Sequence, residues 1–359
     1  FYMGINIGAF YAPIAAAGVR KYFMNNFDLT MAQGYNAAFG AAAAGMVISL
    51  LIFVIFKKFY ADADYRSKEK ENTEKDAPIS KEQEKERITA LLIIFAIVIF
   101  FWMAFHQNGA ALSLFARDYT FDTVSKFTYL FFDVLALHGI LALLLGGGVA
   151  LSRGSSGRTR GIAALFAVIG LVIIIIKLNT LEGSNPIAPE QFQSFNPMFI
   201  VLLTPIIVGY FAWLNKKGKE PSSPAKIGIG MVITGAAYMI MILAAIGLPA
   251  VFTLNGGTSP QTVSPFWLLG TYFTLTIAEL HLSPMGLSFV SKVAPAKMKG
   301  LMMGGWFGAT AVGNYLSGFV GRFYQNWELW QFFLLLVATS LMAAFLVLIF
   351  LKKLKHATR

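Results

Sequence analysis

The chain has 359 residues, 57% of them hydrophobic and only 13% charged, about half the charged share of an ordinary soluble domain. This composition excludes a water-soluble globule and points to a polytopic helical membrane protein. The absence of cysteine excludes disulfides and thiolate metal sites, and the net charge of +11 suits nucleic acid only if the basic residues form a patch, which their placement contradicts.

Ten apolar segments follow one another, at 1–17, 35–56, 88–115, 128–151, 161–177, 193–214, 227–248, 265–289, 300–321 and 329–351. They predict helices, since no alternating pattern suits a barrel. The first begins directly at Phe1, with no loop before it. The chain is therefore expected to lack helices upstream. Asn6 is the polar residue of this segment, and Gly4 and Gly8 are spaced for close helix contact. Segment 57–87 carries nine basic and nine acidic residues with almost nothing apolar. It reads as a hydrated linker, helical at Lys81–Arg87.

In segment 88–115, Trp102 and His106 lie one turn apart with Gln107 and Asn108 beside them. Histidine is one of few groups able to exchange a proton near neutral pH. Arg117 and Asp118 read as an ordinary solvated pair, and Asp133 lies near the outer interface with no assigned role. Asn196 precedes Pro197, while Pro13, Pro205 and Pro284 interrupt other helices, as in carriers whose kinked helices flank a cavity.

The stretch from Phe266 to Ser288 organises the rest. Tyr272, Thr276, Glu279 and Ser283 fall on one helical face of an otherwise apolar span. A charge at bilayer depth costs at least ~2.5 kcal/mol and is by default a functional candidate. Trp306, Thr310 and Asn314 form a second stripe, after Gly300, Gly304 and Gly308. Each group has a structural alternative: an interhelical bond for Asn6, a buried neutral ring for His106, a carboxylate held by a neighbouring helix for Glu279. Together they suit a water-filled cavity for a small polar solute with apolar parts.

The loops at 57–87, 152–160, 215–226 and 291–299 and the tail at 352–359 carry all the Lys and Arg except Arg20, Lys21, Arg117, Lys126, Lys177 and Arg322. In a strictly alternating ten-span arrangement all five fall on one side. The positive charge is thus a topology signal that places the C-terminus in the cytoplasm and leaves no case for nucleic acid.

Three runs resemble the proton-coupled oligopeptide transporter (POT, or PTR) family of the major facilitator superfamily. Phe1 to Phe10 is similar to that family's FYxxINxG signature on its fifth helix. Phe101 to Gly109 resembles FWxxFEQ-G of the seventh. Ala278 to Ser288, with Lys299 to Phe307 and Gly313 to Leu316, resembles the GELLLSPxGLS, RGLMMGxWF and GNYLAG run of helices ten and eleven. Ser194 to Pro197 and the loop 221–226 look like helix eight and its exit.

The resemblance implies an all-α membrane protein with about ten spans: family helices five to twelve, the first four missing, and two extra helices at about 121–181 between helices seven and eight. Residues 1–57 would be the rest of an N-terminal bundle, 58–87 a cytoplasmic linker and 88–359 a C-terminal bundle. The missing helices would carry Glu-x-x-Glu-Arg and a lysine. His106 stands where the family usually has Glu, so that coupling step moves to an imidazole or is lost. The extra pair is expected on the lipid face.

By the same resemblance, Glu279 would meet a peptide amino group beside Asn6 and Asn196. Tyr2, Trp102 and Trp306 would line side-chain pockets that Ser283 and Thr310 shape, with Gln107 also binding substrate. Glu279 and His106 would carry coupling protons. The implied activity is proton symport of di- and tripeptides by alternating access across a bacterial inner membrane, with no cofactor. The alternative is a carrier of another small solute, such as an amino acid, nitrate or a drug-like compound. A receptor or an enzyme fits less well: no nucleophile–base pair, metal-ligand cluster or folded soluble domain is visible in the sequence.

Overall fold

The computed structural model describes residues 2–61 and 80–357, with the side chains of Tyr2 and Met3 outside that description. Most of the charged linker therefore lies outside the described residues. The long helices are α1 (Tyr2–Phe27), α2 (Met31–Ile55) and α3 (Lys81–Phe105), then a short α4 (Ala111–Tyr119) and a single turn α5 (Lys126–Tyr129). They continue as α6 (Val134–Leu151), α7 (Gly157–Thr180), α8 (Phe195–Lys216), α9 (Ser223–Ala245), α10 (Phe266–Val293), α11 (Lys299–Asn326) and α12 (Leu329–His356).

Side-chain caps set several of these starts. Thr30 and Ser80 each form a reciprocal box with Gln33 and Gln83. The second box starts α3 at Lys81, so the helix expected at Lys81–Arg87 runs unbroken into the spanning segment and shortens the linker. Asp133 accepts from Ala136 N at 2.8 Å and starts α6 at Val134, later than the apolar run from 128.

Seven described helical stretches are long and apolar enough to cross a membrane. The other three long helices are α1, α10 and α11, with 26, 28 and 28 residues. They match the spans in length but are more polar, because they carry the stripes of amides, hydroxyls, glycines and the lone carboxylate.

The principal core lies among α3, α9, α10, α11 and α12, with Leu91, Met231, Tyr272 and Phe333 fully enclosed. α9 packs along both α10 and α12, and α3 packs along α11. Glycine permits the closest approaches. A Cβ on Gly230 of α9 would stand 2.8 Å from Ala278 O of α10, which is how helices join where lipid removes the hydrophobic drive.

The extra pair, α6 and α7, forms a hairpin. Backbones meet where Gly139 faces Gly170, a Cβ on Gly170 falling 2.4 Å from Gly139 O. Lys177 pairs with Asp133 at 2.7 Å across one end, giving Asp133 a capping and ion-pairing role that the sequence reading left unassigned. Most side chains of α7 are exposed, whereas those of α6 are largely half-buried.

Helices alone were expected. Instead Thr123–Ser125 (β1) and Ser184–Pro186 (β2) pair antiparallel, Val124 opposite Asn185. This small clasp joins the chain just before the hairpin to the chain just after it. It escapes a periodicity reading because three residues are too few to show alternation.

Candidate functional site

Glu279 lies midway along α10 and is buried, as are Tyr272, Thr276 and Ser283 on the same face. The face turns toward the first turn of α8. There Asn196 Nδ2 donates to Glu279 Oε2 at 2.9 Å and to Thr276 Oγ1 at 3.1 Å. Pro197 can follow Asn196 because the first turn of a helix has no intrahelical acceptor for its missing N–H.

The bonding continues one turn back along α10. Thr276 Oγ1 donates to Tyr272 O at 2.7 Å, and Tyr272 Oη donates to Asn108 O at 2.7 Å. Gln193 Nε2 meets the same carbonyl at 3.0 Å, Ser113 Oγ at 2.5 Å and Tyr272 Oη at 3.3 Å. A ladder of polar groups therefore runs from Ser113 through Gln193 and Tyr272 to Asn196 and Glu279. Gln193 was not singled out in the sequence. Its side chain has meaning only through the 3₁₀ turn Pro189–Ser194, which brings it over α10.

α1 meets this region at the same turn. Ser194 Oγ donates to Phe10 O at 3.1 Å, and Asn6, one turn earlier on α1, is buried.

Further along α10, Gly286 holds the indole of Trp306. A Cβ there would fall 2.0 Å from the ring, so only glycine admits it. Trp306 is buried, and the Thr310 hydroxyl bonds back to Trp306 O at 3.2 Å. Trp102 of α3 sits against Gly313 of α11, where a Cβ would lie 2.5 Å from that of Trp102. Its ring stacks on His106 at 5.3 Å between centroids. Trp102 Nε1, His106 Nε2 and Ser283 Oγ are buried with no partner among the described residues.

Gln107 behaves differently. It is fully buried, and its amide donates to Ser317 O and Oγ of α11 at 2.8 and 3.0 Å. A residue expected to hold substrate here fastens α3 to α11. The Glu279 stripe also departs from expectation in being enclosed where water was expected.

A cavity of about 650 Å³ opens beside the upper end of the ladder, with Gln193 and Ser113 in its wall. Arg20, Tyr35 and Glu190 bound it as well. Arg20 pairs with Glu190 at 3.2 Å, and Tyr35 Oη donates to Glu190 at 2.5 Å. This cluster, drawn from α1, α2 and the turn before α8, was missed. Its one signal in the sequence was Arg20, a basic residue among the few outside the charged loops. Arg117 and Asp118 do pair, at 2.6 Å, but Asp118 is buried instead of solvated.

Among the described residues no group of three His, Asp or Glu side chains could hold a metal.

A family model described as the POT family matches residues 1–76 and 170–331. It takes in α1, α2, α8, α9, α10 and α11 and leaves out 77–169, where Trp102, His106 and Gln107 lie. The chain is 28% identical over 341 residues to Peptide transporter YePEPT of Yersinia enterocolitica, covering 89% of this chain and 60% of that protein. It is 26% identical over 349 residues to Uncharacterized transporter YclF of Bacillus subtilis, covering 91% and 60%. The chain thus spans about 60% of the length of these relatives. A crystal structure of peptide transporter POT in complex with sulfate superposes with a TM-score of 0.59 at 20% identity, over 99% of this chain and 67% of that one. The fold is the same.

Proposed function

The chain belongs to the POT family, and we propose on that premise that it is the larger part of a carrier that takes di- and tripeptides across a bacterial inner membrane together with protons. One observation supports the reading: a carboxylate buried midway along an otherwise apolar helix, accepting from the Asn196 amide, which also donates to the Thr276 hydroxyl. Such a group can accept a proton or meet a substrate ammonium. The two compete for it, so solute binding and proton binding are linked.

Glu279 is the acceptor for the ammonium, with Asn196 presenting it and Asn6 beside the same junction. Trp306 on its glycine seat and Trp102 against Gly313 supply apolar walls for the solute, with Ser283 and Thr310 as further wall residues; the side chain of Tyr2, the remaining candidate, lies outside the described residues. His106 is the second proton site. Its Nε2, like Trp102 Nε1 and Ser283 Oγ, is buried without a partner among the described residues, and a solute would satisfy these groups when the site opens. Gln107 acts by holding α3 on α11. Residues 1–57 move with one bundle and 88–359 with the other, joined by the linker 58–87. Alternating access then rocks the bundles about the site. The proton gradient supplies ~2.3 kcal/mol per charge per 100 mV. The basic loops place the C-terminus in the cytoplasm.

The test is counterflow of labelled dipeptide into proteoliposomes holding the full-length protein. The reading expects uptake that unlabelled dipeptides displace and that rises with an inward proton gradient. Uptake indifferent to the gradient overturns the coupling, and uptake untouched by dipeptides overturns the substrate.

A further inference from the structure

The α6–α7 hairpin carries a groove that the peptide route does not use. It encloses about 440 Å³ between the two helices, walled by Leu141, Leu145, Val149, Ile162 and Phe166 with Thr159 at its mouth. The floor is tight, since a Cβ on Gly146 would touch Ala163 O at 2.7 Å. Val149, Ile162 and Phe166 are exposed along its rim.

The mouth opens at the connection 152–160, Ser-Arg-Gly-Ser-Ser-Gly-Arg-Thr-Arg, with three arginines and no acidic residue. Arg153, Arg158 and Arg160 are all exposed. Arg160 Nε donates to Ala150 O at 2.9 Å, which holds that guanidinium over the end of α6. At the other end of the hairpin Lys177 is already neutralised on Asp133. Three exposed arginines therefore stand at one end of an apolar slot.

We propose that the hairpin binds an anionic phospholipid. An acyl chain lies in the groove, and Arg153 and Arg158, steadied by Arg160, hold the phosphate. Guanidinium forks match phosphate oxygens in pairs, and basic clusters on the cytoplasmic side of spanning helices attract anionic headgroups. A free phosphate would satisfy the arginines but leave the apolar walls unused, so the lipid fits the whole feature. The inference does not depend on which solute the carrier moves.

Lipid retention measures this directly. The full-length protein is equilibrated in detergent with dioleoylphosphatidylglycerol or dioleoylphosphatidylcholine, and retained lipid is counted by native mass spectrometry. The native sequence should prefer phosphatidylglycerol about tenfold. The double variant Arg153→Gln/Arg158→Gln should lose that preference while keeping its melting temperature. Val149→Trp, which fills the groove from its rim, should lower retention of both lipids. Soluble glycerol 3-phosphate should not displace the bound lipid. Three results each overturn the proposal: a preference unchanged in the double variant, retention unchanged by Val149→Trp, or displacement by glycerol 3-phosphate, which would mark a site for free phosphate.

Discussion

At the scale of single residues, the site depends on what each side chain is attached to. Glu279→Gln keeps the shape and the bond to Asn196 but loses the charge. It should abolish gradient-driven accumulation in proteoliposomes while leaving some exchange of peptide down its own gradient. Accumulation at the native level would take Glu279 out of the mechanism. Gly286→Ala tests the seat of Trp306. The new methyl collides with the indole at 2.0 Å, and overpacking of this kind costs ~1–3 kcal/mol. The melting temperature should fall and peptide affinity should weaken together. A third residue lies outside the membrane. The carboxyl of Glu220 is held below the usual range by the hydrogen bond from Lys226, then by that from Asn215. Lys226 is itself buried, its ammonium 3.9 Å from the Phe211 ring centre. A folded-state value below the unfolded one means that Glu220 adds stability above the unfolded carboxyl range, near pH ~4.3, and loses it as pH falls through the folded value. Glu220→Gln should therefore lower the melting temperature by about 2–4 °C at pH 7. The gap from the native protein should narrow only below pH ~4. A gap equally wide at pH 3 would refute the ion pair as its source.

At the scale of elements, the ten apolar segments are all present as helices, and the fold class was legible from composition and spacing alone. The helix ends were not. α3 begins seven residues before its apolar run, because a Ser–Gln capping box and charged side chains extend it into water. α6 begins later than its run, because the Asp133 cap decides. Glu279 was legible because a lone carboxylate stands out in an apolar helix. Gln193 and the Arg20–Glu190 pair were not, since each depends on a turn or on contacts between segments far apart in sequence. The side chain of Gln107 could not be placed from the sequence, because the 3₁₀ turn His106–Asn108 swings its amide toward Ser317 of α11. The clasp between β1 and β2 closes the chain across the base of the hairpin, but the segment it brackets includes Phe132, buried against Phe192 and Phe195 of the main core. Replacing 126–183 by a two-residue turn such as Asn-Gly, which suits adjacent antiparallel strands, should lower the melting temperature but leave counterflow within about twofold of native. Aggregation of the shortened protein, or loss of counterflow, would show that the hairpin supports the bundle.

At the scale of the whole molecule, Arg20, Tyr35 and Glu190 tie α1 and α2 to the start of α8 beside the cavity of about 650 Å³. Arg20→Gln should loosen that junction and admit solvent to the ladder at Ser113. These 359 residues contain no cysteine, so Ser113→Cys, in a full-length protein freed of any cysteine outside them, gives a single thiol whose labelling by a membrane-impermeant maleimide can be timed. Labelling should quicken several-fold in the Arg20→Gln background; an unchanged rate would mean that the pair does not govern access.

The hairpin also touches the other half of the chain. The Tyr11 hydroxyl bonds the His138 ring, and Phe10 meets the same ring edge-on at 5.7 Å. If α1 moves in each half-cycle, either this contact parts or the two outer helices sweep sideways with it like a paddle. In the second case lipid must flow around the paddle at every turnover, and membrane viscosity becomes part of the speed limit of the machine.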